Sequence, residues 1–305
     1  MALFILTAAA GFLMPNPLPL ALRGLRFFYR FLSPVLPGVG VRLLWRVLRP
    51  RRRPLRAEQA QFLAGATAFS FTSDGARTGQ PVHLQGYRWG HGPATVLLVH
   101  GWEGSPADFR DLVPVLLRQG YAVAAFDLPA HGRSEGAETN LLEMKQALAA
   151  YIRHAGLPHA VVAHSMGGTA AAILLREAAA AIAKFVFVAS PLSAHDIFEV
   201  VFAPLQVPRS VRQRFYQRLA RQLEQPLEDL AFAPAEQLRA GALLGVYDTD
   251  DPQIAFETVR HYLAANPAVA QHVERGIGHT RLLRHPPVVQ RIADFLGQAS
   301  SPPQF

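Results

Sequence analysis

"VVAHSMGGTA" occupies residues 161–170, an apolar run that reaches a histidine and a serine and then passes into small residues. Such a run reads as a strand buried on both faces. "MGGTAAAILL" (166–175) reads as the helix that follows it. Ser165 therefore sits at an abrupt strand-to-helix switch, with Ala163 two residues before it and Gly167 two residues after. A turn that tight needs small neighbours and lifts the serine above the sheet edge, which is how a G-x-S-x-G turn works. The pattern here is A-x-S-x-G, and one methyl at position 163 is compatible with it where φ and ψ are ordinary.

Outward from this turn the chain alternates between two periods. "TAFSFT" and "PVHLQGYRWG" alternate apolar and polar residues and predict antiparallel strands. "TVLLVH" (95–100), "YAVAAFD" (121–127), "KFVFVAS" (184–190), "ALLGVYD" (242–248) and "AVAQHVER" (268–275) predict further strands. Between them, residues 105–120 predict a helix capped by Ser105, residues 139–156 another, and residues 287–298 a closing helix. Buried strands alternating with helices mean a parallel sheet covered on both faces. Residues 191–240 break the rhythm. There Val211, Phe215, Leu219 and Leu223 form one apolar helical stripe, either a lid at the carboxyl edge of the sheet or an extra packing layer.

Hydrophobic content of 50% against 17% charged residues excludes a disordered chain, and 305 residues suffice for one large α/β domain with an insertion. The absence of cysteine excludes disulfides and thiolate metal sites. The net charge of +8 is unevenly placed: residues 1–57 hold ten arginines and no acid, whereas residues 58–305 hold 20 basic and 22 acidic side chains.

A serine hydroxyl needs a base, and the base needs an orienting acid. "DTDDPQIAFE" follows the strand at 242–248 and "GIGHTRLLRHPP" follows the strand at 268–275, so carboxylates and a histidine stand at the ends of the last two strands. No histidine pair has the H-x-x-x-H spacing of a metal site, and no Gly-rich loop of the dinucleotide type opens a helix, so neither a metal nor a cofactor is expected.

The stretches "LLVHGWEG", "AAFDLPAHGRSEG", "VVAHSMGG", "YDTDDPQI" and "GIGHTRLLRHPPVVQRIADFL" together resemble the α/β-hydrolase superfamily over residues 65–298. Within it the chain looks most like bacterial serine hydrolases with a helical cap. The resemblance implies a mostly parallel eight-stranded sheet flanked by helices. It divides the chain into an appendage (1–60), a hydrolase core (61–190 and 241–300) and a small helical cap insertion (191–240). It assigns Ser165 as nucleophile, His279 as base and Asp251 as acid, with Asp250, Asp248 and Asp196 as alternatives for the acid. The backbone N–H groups of Trp102 and Met166 are the implied oxyanion donors. His100 and His131 are expected to shape loops, His164 to point away from substrate and His285 to mark a helix boundary. The implied activity is cleavage of a small-molecule carboxylic ester or thioester. The rival readings are a non-catalytic membrane-associated binding protein on the same fold, and a lyase or C–C hydrolase using the same three residues.

Residues 2–14 are apolar and uncharged, but a helix of that length reaches only about 20 Å against a hydrocarbon core of about 30 Å. No basic segment precedes them, which speaks against a secretory signal, and Met14 is a second candidate start. Beyond them, Arg23, Arg26 and Arg30, then Arg42, Arg46 and Arg49, recur at helical spacing beside Phe28, Leu32, Leu44 and Trp45. That pattern predicts either peripheral membrane contact through residues 1–56 or helices packed on the body, and the expected location is the cytoplasm, at the inner face of the membrane in the first case. Nucleic acid is not an expected partner.

Overall fold

A computed structural model describes residues 20–48, 54–75, 79–137 and 139–298. The apolar segment 2–14 and most of the run "RPRRRP" (49–54) lie outside the described residues.

Eight strands form one sheet: β1 (Thr67–Asp74), β2 (Pro81–Trp89), β3 (Thr95–Val99), β4 (Ala122–Phe126), β5 (Ala160–His164), β6 (Ile182–Val188), β7 (Ala240–Asp248) and β8 (Val269–Glu274). Their order is β1-β2-β4-β3-β5-β6-β7-β8. The two alternating segments pair antiparallel, and β2 joins β4 antiparallel. Every other pairing is parallel, so the family-like expectation of a mostly parallel eight-stranded sheet holds. The continuous apolar runs occupy the centre, where Leu97 pairs with Ala124 on one side and Val161 on the other. All five residues of β4 and of β5 are buried, which is why their sequences lack the alternation of β1.

Helices cover both faces. α5 (Leu141–Ala155) packs on α6 (Met166–Glu177), the short α4 (Val113–Arg118) packs on α10 (Pro286–Gly297), and α9 (Phe256–Ala265) connects β7 to β8. Asn140 caps α5 by accepting the N–H groups of Leu142 and Glu143 at 2.8 and 3.0 Å. The single helix expected over 105–120 is instead two pieces, a 3₁₀ turn at Pro106–Phe109 and then α4. Asp108 accepts the Ser105 N–H at 2.9 Å and closes the first piece. Pro114, which has no N–H to continue a helix begun at 105, stands in the first turn of the second.

The parallel strands β3 and β5 to β8 all point their carboxyl ends to one edge. His100, Ser165, the 248–251 loop and the 275–279 loop collect there. Residues 191–240, which leave from β6 at this edge, form α7 (Ala194–Leu205), α8 (Arg209–Leu223) and two 3₁₀ turns. Backbone bonds from Ala194 to Leu230 and from Phe232 to Leu192, both 2.9 Å, close the base of the insertion. Val211, Phe215 and Leu219 of the expected stripe are buried.

The N-terminal helices α1 (Leu20–Phe27), continued by a π-helical turn to Leu32, and α2 (Pro37–Val47) pack on this insertion. α3 (Ala57–Ala64) leads from them into β1. Leu44 is fully buried, and Trp45 lies 5.2 Å from Phe215 between ring centroids with the Arg218 guanidinium 5.4 Å above it. A Cβ on Gly40 would approach Val211 to 3.2 Å, so the glycine allows α2 to come close to α8. One face of the N-terminal helices is thus packed on the body. Among the described residues no helix is long and apolar enough to cross a membrane.

Candidate active site

β5 ends at His164, and the backbone turns at Ser165 with φ 53° and ψ −133° before α6 begins at Met166. Positive φ is costly for a residue with a Cβ and is held by its surroundings. The Ser165 N–H donates to Val188 O at 2.9 Å, and its carbonyl accepts the Gly168 N–H at 2.9 Å, so strand and helix both grip the turn. Space around it is minimal: a Cβ on Gly167 would strike the His100 carbonyl, and one on Gly168 would strike Ser190 Oγ. Ala163, the departure from glycine, is fully buried in regular strand pairing opposite Val99 and Phe187, where a methyl is tolerated.

Ser165 Oγ lies 3.0 Å from His279 Nε2, and His279 Nδ1 lies 2.7 Å from Asp251 Oδ2. The tautomer that satisfies both contacts carries its proton on Nδ1, donates it to the carboxylate and leaves Nε2 to accept from the hydroxyl. Residues 114 and 28 positions apart in sequence meet here. The Asp251 and His279 side chains are 1% and 8% exposed, so their contact is shielded from water, while Ser165 remains partly open. Asp251 Oδ1 accepts the Gln253 N–H at 2.8 Å, which fixes the carboxylate's orientation.

The competing aspartates do other things. Asp250 is exposed and faces Arg275 at 3.3 Å. Asp196 accepts the Ser193 hydroxyl at 2.8 Å in the first turn of α7. Asp248, at the end of β7, is buried and accepts three backbone N–H groups, from Asp250 at 2.7 Å, Gly276 at 2.9 Å and Gly278 at 2.6 Å. Burial alone would raise its pKa, but the N–H donors of Gly278, Asp250 and Gly276 outweigh that and hold the carboxyl below its ordinary value.

The loop after β3 lies directly over the serine, since a Cβ on Gly101 would come within 2.7 Å of Ser165 Cβ. Two histidines hold this loop as backbone staples. His131 Nε2 accepts the Glu103 N–H at 2.9 Å while Nδ1–H donates to Pro129 O at 2.9 Å. His100 Nδ1–H donates to Gly101 O at 2.8 Å, and its Nε2 accepts the Leu128 N–H at 3.1 Å. Burial, with His131 beside it, drives the His100 pKa down to about 3, so both ring nitrogens keep their bonding roles at neutral pH. Trp102 is carried on this stapled loop, and Met166 stands at the first position of α6, where a helix offers its N–H no internal acceptor.

His164 is buried behind His279, its ring centroid 4.8 Å away and its Nε2 3.2 Å from the His279 carbonyl. It supports the histidine rather than facing Ser165. His285 is the N-cap residue immediately before α10. The support given by Asp248 and His164 escapes a reading of the sequence. The one available signal for Asp248 was a third carboxylate immediately at the strand end. Among the described residues no group of three His, Asp or Glu side chains is placed to hold a metal ion.

A family model for the α/β-hydrolase fold matches residues 94–274, and the chain belongs to that family. A dihydrolipoyllysine-residue acetyltransferase component of the acetoin cleaving system from Cupriavidus necator is 41% identical over 95 residues, 30% of this chain and 25% of that protein. An uncharacterised hydrolase of Bacillus subtilis is 35% identical over 102 residues, 32% of this chain and 35% of that one. The matched stretches thus span about a quarter and a third of these relatives. Among solved structures, an esterase of Pyrococcus furiosus superposes with a TM-score of 0.60 at 20% identity, covering 82% of this chain and 98% of the esterase. At that identity the likeness is one of fold.

Proposed function

We propose that this α/β-hydrolase is a serine hydrolase that cleaves carboxylic esters or thioesters. The observation that carries the reading is the continuous relay from Ser165 through His279 to Asp251, whose two contacts measure 3.0 and 2.7 Å. His279 Nε2 takes the Ser165 proton as Oγ attacks the carbonyl carbon, and Asp251 stabilises the imidazolium formed. Charge developing on the carbonyl oxygen is met by the N–H groups of Trp102 and Met166, the latter at the positive end of α6. The tetrahedral species expels the alcohol or thiol, which leaves with the proton from His279. Water, deprotonated in turn by His279, attacks the acyl-Ser165 ester and releases the carboxylic acid. In this reading residues 191–240 cap the acyl site, because they leave the sheet at the edge that carries Ser165.

The test is labelling by a fluorophosphonate, followed by a series of p-nitrophenyl esters of increasing chain length. Wild type labels at Ser165, whereas Ser165→Ala neither labels nor turns over and keeps its unfolding temperature. Labelling that persists in Ser165→Ala overturns the nucleophile. A wild type that neither labels nor hydrolyses any ester leaves a non-catalytic member of the fold.

A further inference from the structure

Seven of the nine exposed large hydrophobic side chains among the described residues fall between Leu20 and Val39. Leu20 is 83% exposed, Val35 80%, Phe27 59% and Phe31 56%. Single exposed apolar residues need no explanation, but a contiguous group of this size does. The packing of α1 shows why they stay outside. Leu22 and Tyr29 face the body, with the Tyr29 hydroxyl donating to Gly40 O at 3.0 Å, so the stripe through Leu20, Phe27 and Phe31 is left on the far side.

The charged side chains of the helices that carry this stripe have one sign. Arg23 and Arg30 stand on the same exposed face of α1 and its π turn, the Arg30 guanidinium 5.4 Å above the Phe31 ring, and Arg42 and Arg46 are exposed on α2. α8, against which α2 packs, carries five arginines and no acid, and of these Arg212 is paired with Glu199 of α7 at 2.7 Å. The first acidic residue of the chain is Glu58. Residues 1–19, which precede the patch, contain no charged residue in their sequence.

We propose that the outer face of α1 and α2, flanked by α8, docks on an anionic phospholipid bilayer, with Phe27, Phe31 and Val35 at the headgroup–acyl boundary and the arginines on lipid phosphate. An aromatic and aliphatic stripe edged by arginine is the composition an interfacial helix requires. The absence of acid across three neighbouring helices matches the negative potential of such a surface. A second copy of this chain fits less well, because the same arginines would be brought together across a two-fold contact. The proposal is independent of the reaction at Ser165.

The test is flotation of the full chain with vesicles of phosphatidylglycerol in phosphatidylcholine, against phosphatidylcholine alone. Binding is expected on the former, with a fraction that resists about 1 M salt, where screening extends over only ~3 Å. Arg23→Ala with Arg30→Ala weakens partition roughly 25-fold, about fivefold per arginine. Phe27→Ser with Phe31→Ser and Val35→Ser removes the salt-resistant fraction at an unchanged unfolding temperature. Because the chain has no cysteine, Phe31→Cys accepts a single environment-sensitive fluorophore, whose emission shifts to the blue only with anionic vesicles. Equal flotation on both vesicles, or flotation of the triple serine variant like wild type, overturns the proposal. A fluorophore already blue-shifted without vesicles also overturns it, and assigns the patch to residues 1–19, or to a second copy where sedimentation shows a dimer.

Discussion

The carboxylate of Asp248 accepts the N–H of Gly278 at 2.6 Å and so ties the end of β7 to the residue just before His279. Its other oxygen holds Asp250 and Gly276, so one buried side chain staples the 248–251 loop to the 275–279 loop. Asparagine at 248 would turn an NH₂ group toward at least one of these donors. Asp248→Asn is expected to lower kcat by up to about 10²-fold, the cost of a displacement of about 1 Å in a catalytic group. KM should move little, since no substrate contact is removed, and steady-state kinetics on a short ester checks the split. An unchanged kcat would refute the positioning role.

Asp251→Asn leaves His279 Nδ1 facing a side chain that no longer fixes its tautomer, and the expected loss is about 10⁴-fold in kcat. Asp250→Asn should cost less than about threefold, because that exposed carboxylate meets the Thr249 hydroxyl and an exposed arginine, both at 3.3 Å, and such surface pairs contribute roughly 0–1 kcal/mol. The ratio of the two, measured on one ester, decides which aspartate completes the relay.

Hydrophobic periodicity put Ser165 at a strand-to-helix switch and a histidine after the last strand, the family resemblance singled out His279, and the fold brings the two side chains to 3.0 Å. The choice among Asp248, Asp250 and Asp251 was not legible to the same degree. Three carboxylates within four positions differ only in which way the loop turns each one, and the partners that hold them, Gly276 and Gly278 in the loop after β8 for Asp248, Arg275 for Asp250 and Gln253 for Asp251, follow from the folded loops. The break of the 105–120 helix was foreshadowed by Pro114. The partner of the arginine-edged helices was hidden for a different reason: amphipathicity tells which face of a helix is apolar and nothing about what covers it. Trp45 illustrates the point, since its sequence context suits a lipid interface and its ring packs on Phe215.

Gly101 has no room for a side chain. A methyl there would lie 2.7 Å from Ser165 Cβ and 3.1 Å from the His164 carbonyl, neither of which can swing aside. Gly101→Ala is expected to cost about 1–3 kcal/mol of stability. It should also lower turnover by at least about 10²-fold through displacement of the loop over Ser165. Gly24→Ala, where nothing lies within 4 Å, serves as the matched control and should be neutral or slightly stabilising. Denaturant unfolding and ester turnover on both variants check the contrast.

Stability should fall with acid before the carboxylates protonate. Burial, with His131 beside it, holds His100 at about 3, against 6.5 for a free histidine, and burial with His279 nearby holds His164 well below 6.5. The unfolded chain takes up these protons as the pH falls through 6.5 while the native chain does not. The stabilisation is therefore complete above 6.5 and declines below it, by about 1.4 kcal/mol per pH unit for each histidine. For His100 the decline continues to about pH 3. The depressed carboxyl of Asp248 adds the same direction of loss below its ordinary value of 3.8. Urea midpoints from neutral pH to about pH 4 should show the slope, and His164→Gln should reduce it by about half. A flat profile would mean that neither imidazole is buried neutral.

Removing residues 1–56 tests how far the N-terminal helices belong to the body. Every residue of the proposed relay lies beyond position 99, so chemistry alone predicts an active remainder. Packing argues otherwise. Leu44 is fully buried, and Val211 and Phe215 of α8 owe part of their burial to Gly40, Leu44 and Trp45. Truncation would open this apolar seam on the insertion that leaves the sheet beside Ser165. The shortened chain is expected to self-associate in size-exclusion chromatography and to unfold at a lower temperature. The single substitution Leu44→Ala should cost about 2–5 kcal/mol, as a cavity in a packed interior does. A truncated chain that stays monomeric with an unchanged unfolding temperature would show that α2 rests on α8 without stabilising it.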